Sequence, residues 1–166
     1  MNYAKIRKFD VSNGPNIRTT LFVSGCTNNC EGCFNKELQN FNYGNKWTKE
    51  VENEFIEYIK DPNVKGVNIL GGEPMDQIHD RDLINLLKRI KEETGKSIWL
   101  WSGYLYEDII KDNNRREILS LVDIIVDGRF EIDKRDISLR YRGSSNQRVI
   151  DVLQSLKNNK VIEIEL

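Results

Sequence analysis

Apolar residues along the chain alternate between two patterns: short dense runs, and longer stretches in which they recur every three or four positions. These are the signatures of buried strands and of one-sided helices. Leu21-Phe22-Val23 lies inside a β-favouring run at residues 18–24. Val67-Asn68-Ile69-Leu70, Ile98-Trp99-Leu100-Trp101 and Ile124-Ile125-Val126 repeat the dense pattern downstream. Between them the period lengthens. Val51, Phe55, Tyr58 and Ile59 share a helical face behind Thr48, a suitable N-cap. Leu83, Leu86, Leu87 and Ile90 form a second stripe, with Asp80 as its candidate N-cap and Gly95 as its stop. Residues 104–121 read as a broken helical region. The tail predicts short strands near residues 139–142 and Val149, a helical turn around residues 153–156, and a last strand over residues 161–164.

Strands separated by helices specify parallel βαβ units with right-handed crossovers. About four to six strands fit this length, too few to close an eight-stranded barrel. The expected fold is therefore α/β: an open, partial (β/α) barrel with a mostly parallel sheet. No repeat, low-complexity tract or linker interrupts it, so residues 1–166 read as one domain. In such sheets the loops at the carboxyl ends of the strands project to one side, where ligands bind. Three cysteines follow the first strand, and Gly71-Gly72-Glu73-Pro74 the second. Ser102-Gly103 follows the third, and Asp127-Gly128-Arg129 the fourth. All four ends are expected to line one mouth.

Charge narrows the partners. With 25 basic and 26 acidic residues, no global field attracts nucleic acid or anionic lipid. No apolar stretch approaches the length of a membrane span, and the N-terminal residues lack the pattern of a secretory signal. The expectation is a soluble cytoplasmic protein. The chain has three cysteines, all between positions 26 and 33. An odd, tight cluster is no disulfide framework and points to metal or redox chemistry.

That cluster reads Cys26-Thr27-Asn28-Asn29-Cys30-Glu31-Gly32-Cys33, a C-x₃-C-x₂-C spacing. Three thiolates on a four-iron cubane leave one iron open to a further ligand. Structural zinc takes four ligands, usually with a second short-spaced pair; here there is none, and His79 is the lone histidine. Cys30-Glu31-Gly32-Cys33 as a redox pair leaves Cys26 unexplained, and inert buried cysteines fit poorly in an Asn-rich loop. At the second strand end, Gly71 and Gly72 allow close backbone approach, and Pro74 biases Glu73 towards an extended conformation. A carboxylate so placed can accept a charge-assisted hydrogen bond from an ammonium group. Taken alone, the loop also reads as an ordinary strand-to-helix turn.

The C-x₃-C-x₂-C loop after one strand and Gly-Gly-Glu after the next resemble the radical S-adenosylmethionine (SAM) superfamily. The run from Asn13-Gly14-Pro15-Asn16-Ile17-Arg18 to Ser24-Gly25-Cys26 is similar to the glycyl-radical-enzyme activases. Four further stretches resemble the branch of that family acting on anaerobic ribonucleoside-triphosphate reductase. They are Gly32-Cys33-Phe34-Asn35, Trp99-Leu100-Trp101-Ser102-Gly103-Tyr104, Asp127-Gly128-Arg129-Phe130 and Arg142-Gly143-Ser144-Ser145-Asn146-Gln147-Arg148. The resemblance implies that Cys26, Cys30 and Cys33 ligate a [4Fe–4S] cluster. Gly32, Cys33 and Phe34 would contact SAM through the cluster loop, and Gly71, Gly72 and Glu73 would hold its methionine end. Ser102 and Gly103 would lie near its carboxylate or ribose, with a helix cap as the competing role for Ser102.

No side-chain acid or base is expected to be catalytic, because the cofactors carry the hard step. The implied protein substrate is the large subunit of the anaerobic ribonucleotide reductase, which would lose hydrogen from a backbone glycine to a 5′-deoxyadenosyl radical. The implied electron donor is a reduced flavodoxin or ferredoxin; no nucleic-acid or membrane partner is expected. The alternatives are an activase of another glycyl radical enzyme, a small-molecule radical SAM enzyme, and a non-catalytic metal or redox-sensing module. Arg129, Lys134, Arg135, Arg140, Arg142 and Arg148 alternate with Glu131, Asp133 and Asp136 and read as a solvated surface. His79 also reads as a surface residue. One of Trp99 and Trp101 is expected in the core and the other at the mouth. Residues 143–147 are polar and turn-like, with no role assigned.

Overall fold

The computed structural model describes residues 1–33 and 36–166. Its strands, in chain order, are β1 (Asn2–Asp10), β2 (Arg18–Val23), β3 (Asn45–Lys46), β4 (Gly66–Gly71), β5 (Ser97–Trp101), β6 (Ile124–Asp127) and β7 (Arg148–Asp151). The helices are α1 (Lys49–Ile59), α2 (Asp82–Glu93), α3 (Tyr106–Ile109), α4 (Asn113–Leu119) and α5 (Val152–Asn158). The strands form one sheet in the order β3-β1-β2-β4-β5-β6-β7. Its centre is parallel: β2 pairs β4, β4 pairs β5 and β5 pairs β6, each return made by helix. The sheet is not closed, since β3 and β7 stand at opposite edges.

The parallel centre is as expected, and the antiparallel edges bring the sheet to seven strands, above the four to six expected. β1 runs antiparallel to β2, and β7 antiparallel to β6. The physical reason is connection length and type. Residues 11–17 are too few for a crossover, so β1 and β2 make a hairpin-like pair. Residues 128–147 carry no α-helix to return the chain to the far end of the sheet. The tail also differs: residues 139–142 form no strand, and the last expected strand is reduced to an isolated bridge between Ile150 and Glu163.

Side-chain alternation gives the sheet two unlike faces. Leu21, Val67, Ile69, Ile98, Leu100 and Ile125 pack on one face against Phe55, Ile56 and Ile59 of α1, the Leu83-Leu86-Leu87-Ile90 stripe of α2, and Ile118 and Leu119 of α4. The hydroxyl of Thr48 caps α1 by accepting from Val51 N–H at 3.3 Å. The second stripe holds, but its cap moves: Arg81 is the N-cap of α2, while Asp80 accepts from Asp82 N–H at 3.0 Å. Gly95 ends the helix with φ +64°.

The opposite face carries Arg18, Thr20, Asn68, Trp99, Trp101 and Val126, whose sequence neighbours point to the helices. Arg18 is 2 % exposed. Its guanidinium donates to Asn68 Oδ1 at 2.7 Å, to the Val67 and Ser97 carbonyls at 3.1 and 3.0 Å, and lies over the Trp99 ring. Burial pulls its pKa down to about 10, with Asp123 opposing. Trp99 packs with Val126 and Val149 as a small second core. Trp101 borders the cavity described next, its indole donating to the Tyr141 carbonyl at 2.7 Å. No helix among the described residues is long and apolar enough to cross a membrane.

Candidate metal and cofactor site

The face of the sheet away from the helices opens into a cavity of about 410 Å³ at the carboxyl ends of the parallel strands. This is within the size range of small-molecule sites, roughly 300–1,000 Å³. All four strand ends reach it: Cys26, Cys30 and Cys33; Gly71, Gly72 and Glu73; Ser102 and Gly103; and Gly128. Ser12 and Asn13 enter from the β1–β2 loop, and Arg142 and Gln147 from the excursion between β6 and β7. Phe34 lies outside the described residues.

The cysteine loop is bound to the second strand end backbone to backbone. Gly72 N–H donates to the Val23 carbonyl at 2.8 Å and Glu73 N–H to that of Gly25 at 2.7 Å. Glycine is required at position 72, where a Cβ would stand 2.6 Å from Gly25 O and 2.7 Å from Leu38 O. Gly25 N–H and Cys26 N–H are taken by the carbonyls of Leu38 and Gln39. The loop between the first two cysteines is then held by two carboxylates. Asp76 Oδ2 accepts from both the backbone N–H and the hydroxyl of Thr27, each at 2.9 Å. Glu73 Oε1 accepts from Asn28 Nδ2 at 2.6 Å.

Glu73 is 1 % exposed. Besides Asn28 it accepts from Gly103 N–H at 2.6 Å and Met75 N–H at 3.0 Å. Burial nevertheless pushes its carboxyl up to about 7, against the Met75 and Gly103 donors. One carboxylate thus joins the cysteine loop to the second and third strand ends. Gly103 makes this possible: a Cβ there would lie 2.4 Å from Asn28 Nδ2. Ser102 accepts through Oγ from Tyr104 N–H at 3.1 Å, a turn bond. The helix cap considered for it is absent, since Leu105 is the N-cap of α3 and Tyr106 N–H is taken by Asp127.

Asp76 escaped the sequence reading, and so did the pairing of Asp127, expected at its strand end, with Arg148. Asp76, buried at the end of the Glu73 loop, also accepts from the Tyr104 hydroxyl at 2.6 Å and from Arg115 Nη2 at 3.3 Å. Arg115 lies over the Tyr104 ring. Asp127 is fully buried and receives Arg148 through Nε at 3.0 Å and Nη2 at 2.6 Å, with Glu107 as the second partner of that guanidinium. Arg148 therefore departs from the solvated surface expected for its segment. Nothing local distinguishes these residues from surface charges; their partners lie on other elements. His79 is half exposed, beside Asp80 and the Phe41 ring, in a separate hollow.

The donor set suits a soft, thiolate-bound metal group. All three thiols are partly accessible and border the cavity. Burial raises the Cys26 thiol to about 11, with Glu73, Asp76 and Cys30 adding to the rise. Burial also raises Cys30, opposed by the Phe130 backbone N–H and by Arg129. Among the described residues, no three Cys, His, Asp or Glu side chains gather around a point as they would for a single ion. Asn28, 8 % exposed, keeps a buried Oδ1 without a hydrogen-bond partner at this wall. A three-thiol metal group with a polar ligand beside it fits these residues.

Comparison with known proteins agrees with that donor set. Residues 12–150 match the family described as a 4Fe-4S single cluster domain. The anaerobic ribonucleoside-triphosphate reductase-activating protein of Escherichia coli K12 is 40 % identical over 152 residues, covering 90 % of this chain and 97 % of that protein. The protein of the same name from Pasteurella multocida is 41 % identical, covering 89 % and 95 %. That from Enterobacteria phage T4 is 37 % identical, covering 90 % and 93 %.

Proposed function

Because the chain belongs to the family of anaerobic ribonucleoside-triphosphate reductase-activating proteins, we propose that it activates such a reductase as a radical SAM enzyme. The observation that carries this is the convergence of Cys26, Cys30 and Cys33 with the Gly71-Gly72-Glu73 loop on one cavity. The open α/β sheet is read accordingly as a partial barrel of the radical SAM type. With three protein thiolates and no fourth cysteine in the chain, a [4Fe–4S] cluster keeps one iron for SAM. When bound and given one electron by a donor, cluster and SAM would supply a 5′-deoxyadenosyl radical for removing hydrogen from a backbone glycine of the reductase large subunit.

The chain's own residues bind, orient and exclude water. Cys26, Cys30 and Cys33 ligate the cluster, and Gly32, Cys33 and Phe34 present its loop to SAM. Gly71, Gly72 and Glu73 receive the methionine ammonium, and Ser102 and Gly103 lie towards its carboxylate or ribose. Glu73 suits an ammonium for an electrostatic reason. Burial holds it near the protonated state, and a cation at the loop favours its ionised form. Asp76 and Asn28 keep the loop from Cys26 to Cys30 in register with Glu73. The cavity opens on the face that helices leave free, which gives a loop of another protein a way in. A reduced flavodoxin or ferredoxin is the proposed electron donor, and the cytoplasm the proposed location.

The test is anaerobic reconstitution with iron and sulfide, followed by dithionite and SAM. The expected product is 5′-deoxyadenosine, and adding the reductase subunit yields a glycyl radical signal by electron paramagnetic resonance. SAM cleavage with no radical on the subunit would reassign the protein substrate. A colourless protein yielding no 5′-deoxyadenosine would overturn the enzyme reading.

A further inference from the structure

Residues 143–147 play no part in the proposed chemistry, yet most of their side chains are committed to one task. The Gln147 carboxamide accepts from the backbone N–H groups of Gly143 at 2.8 Å and Ser144 at 3.2 Å, and donates to the Gly128 carbonyl at 2.9 Å. Asn146 Nδ2 donates to the Arg129 carbonyl at 2.7 Å. Ser144, fully buried, accepts from Glu131 N–H at 3.2 Å. The two limbs of the excursion between β6 and β7 are thus tied together by side chains. The outgoing limb is the part that touches the cysteine loop. Ile132 packs on Gly32, where an added Cβ would lie 2.5 Å from Ile132 Cδ1. The Phe130 backbone N–H and the Arg129 charge act on Cys30, and the Phe130 ring lies against Gly143.

Hydrogen bonds and positive charge at a cluster sulfur stabilise the more negative, reduced cluster and raise its potential. We propose that Gln147 and Asn146 are positioning residues for the Cys30 side of the cluster, holding the Phe130 N–H and the Arg129 charge against that sulfur and so setting how readily the cluster accepts an electron. This rests on the cluster reading above.

The test compares wild type with Gln147→Ala, Asn146→Ala and Ser145→Ala. Ser145 is exposed and meets Lys134 only through its backbone N–H, which alanine retains. Each reconstituted protein is assayed for iron and sulfide, then titrated with dithionite without SAM, following the reduced cluster by electron paramagnetic resonance. Gln147→Ala is expected to keep its iron and to lower the reduced-to-oxidised ratio at a fixed potential about tenfold, which is about 59 mV for one electron. Asn146→Ala shifts less in the same direction, and Ser145→Ala does not shift. If Gln147→Ala fails to load, Asn146→Ala decides, since it breaks one bond. Wild-type potential and spectrum in a fully loaded Asn146→Ala and Gln147→Ala, or an equal shift in Ser145→Ala, overturns the proposal and leaves the function standing. A wild type that takes up no cluster overturns both.

Discussion

Replacing Glu73 with glutamine asks whether the cofactor loop holds a proton when no ligand is bound. The buried carboxyl is raised from an ordinary 4.5 to about 7 by desolvation. Between those values the native protein binds more protons than the unfolded chain, so stability falls as pH rises. The contribution is fully present below about 4.5 and lost as pH passes about 7. The rise from 4.5 to about 7 is worth about 3 kcal/mol between the two ends of that range. Glutamine cannot ionise, so its profile lacks this fall. It has a pH-independent cost instead. With its oxygen kept on Asn28 and Gly103, its amide must face the Met75 N–H that Glu73 now accepts, a loss of about 1–3 kcal/mol. Urea unfolding of the metal-free proteins under anaerobic conditions at pH 5, 6, 7 and 8 measures the difference, in which other titrating groups cancel. Wild type is expected to be the more stable at pH 5, with the gap closing or inverting by pH 8. SAM affinity of the loaded wild type is expected to tighten over the same range, and that of the variant to stay flat. A stability difference constant from pH 5 to 8 would refute the raised carboxyl.

Alanine at Cys26, Cys30 or Cys33 is expected to abolish the iron–sulfur chromophore on reconstitution while leaving the far-UV circular dichroism unchanged, because these thiols border the cavity rather than the core. Asp76→Asn retains the shape but breaks the pairing with Arg115 and weakens the hold on Thr27. Denaturant unfolding should show a loss of about 2–4 kcal/mol, and iron should leave the variant faster under a chelator. Gly103→Ala drives a methyl into Asn28 and is expected to weaken SAM binding at least tenfold. Gly95→Ala, where φ is +64° but nothing lies within 4 Å, should cost about 1 kcal/mol of stability and leave SAM affinity unchanged. Acidification tests the β1–β2 loop. Asp10 is buried, yet bonds from Thr20, Asn13 and Ser12 and the charge of Arg7 outweigh that burial and lower its pKa. Its contribution is therefore present above about 3.8 and lost as pH falls below. Asp10→Asn should flatten that part of the acid unfolding curve.

Local order was legible in residue order alone. A dense apolar run or a three-to-four-residue stripe is a property of neighbours in sequence. The central strands, the Leu83-Leu86-Leu87-Ile90 face of α2 and the Thr48 cap therefore emerged without coordinates. So did the arrival of Cys26, Gly72, Ser102 and Gly128 at one mouth, because parallel strands direct their carboxyl ends to the same side. Tertiary structure decided what depends on partners distant along the chain. The β1 strand carries few apolar residues and is a strand because β2 offers its edge. The reversal of β7 followed from an excursion with no crossover helix. Asp76 and Arg148 look like ordinary surface charges until Thr27 and Glu107 come within hydrogen-bond reach, and Asp127, expected at its strand end, meets Tyr106 only in the fold. Gln147 is likewise a turn residue in sequence and a staple only once Gly128 lies 2.9 Å away. Periodicity reports which side of an element is apolar, whereas a hydrogen bond requires two groups within about 3 Å, and only the folded chain brings such groups together.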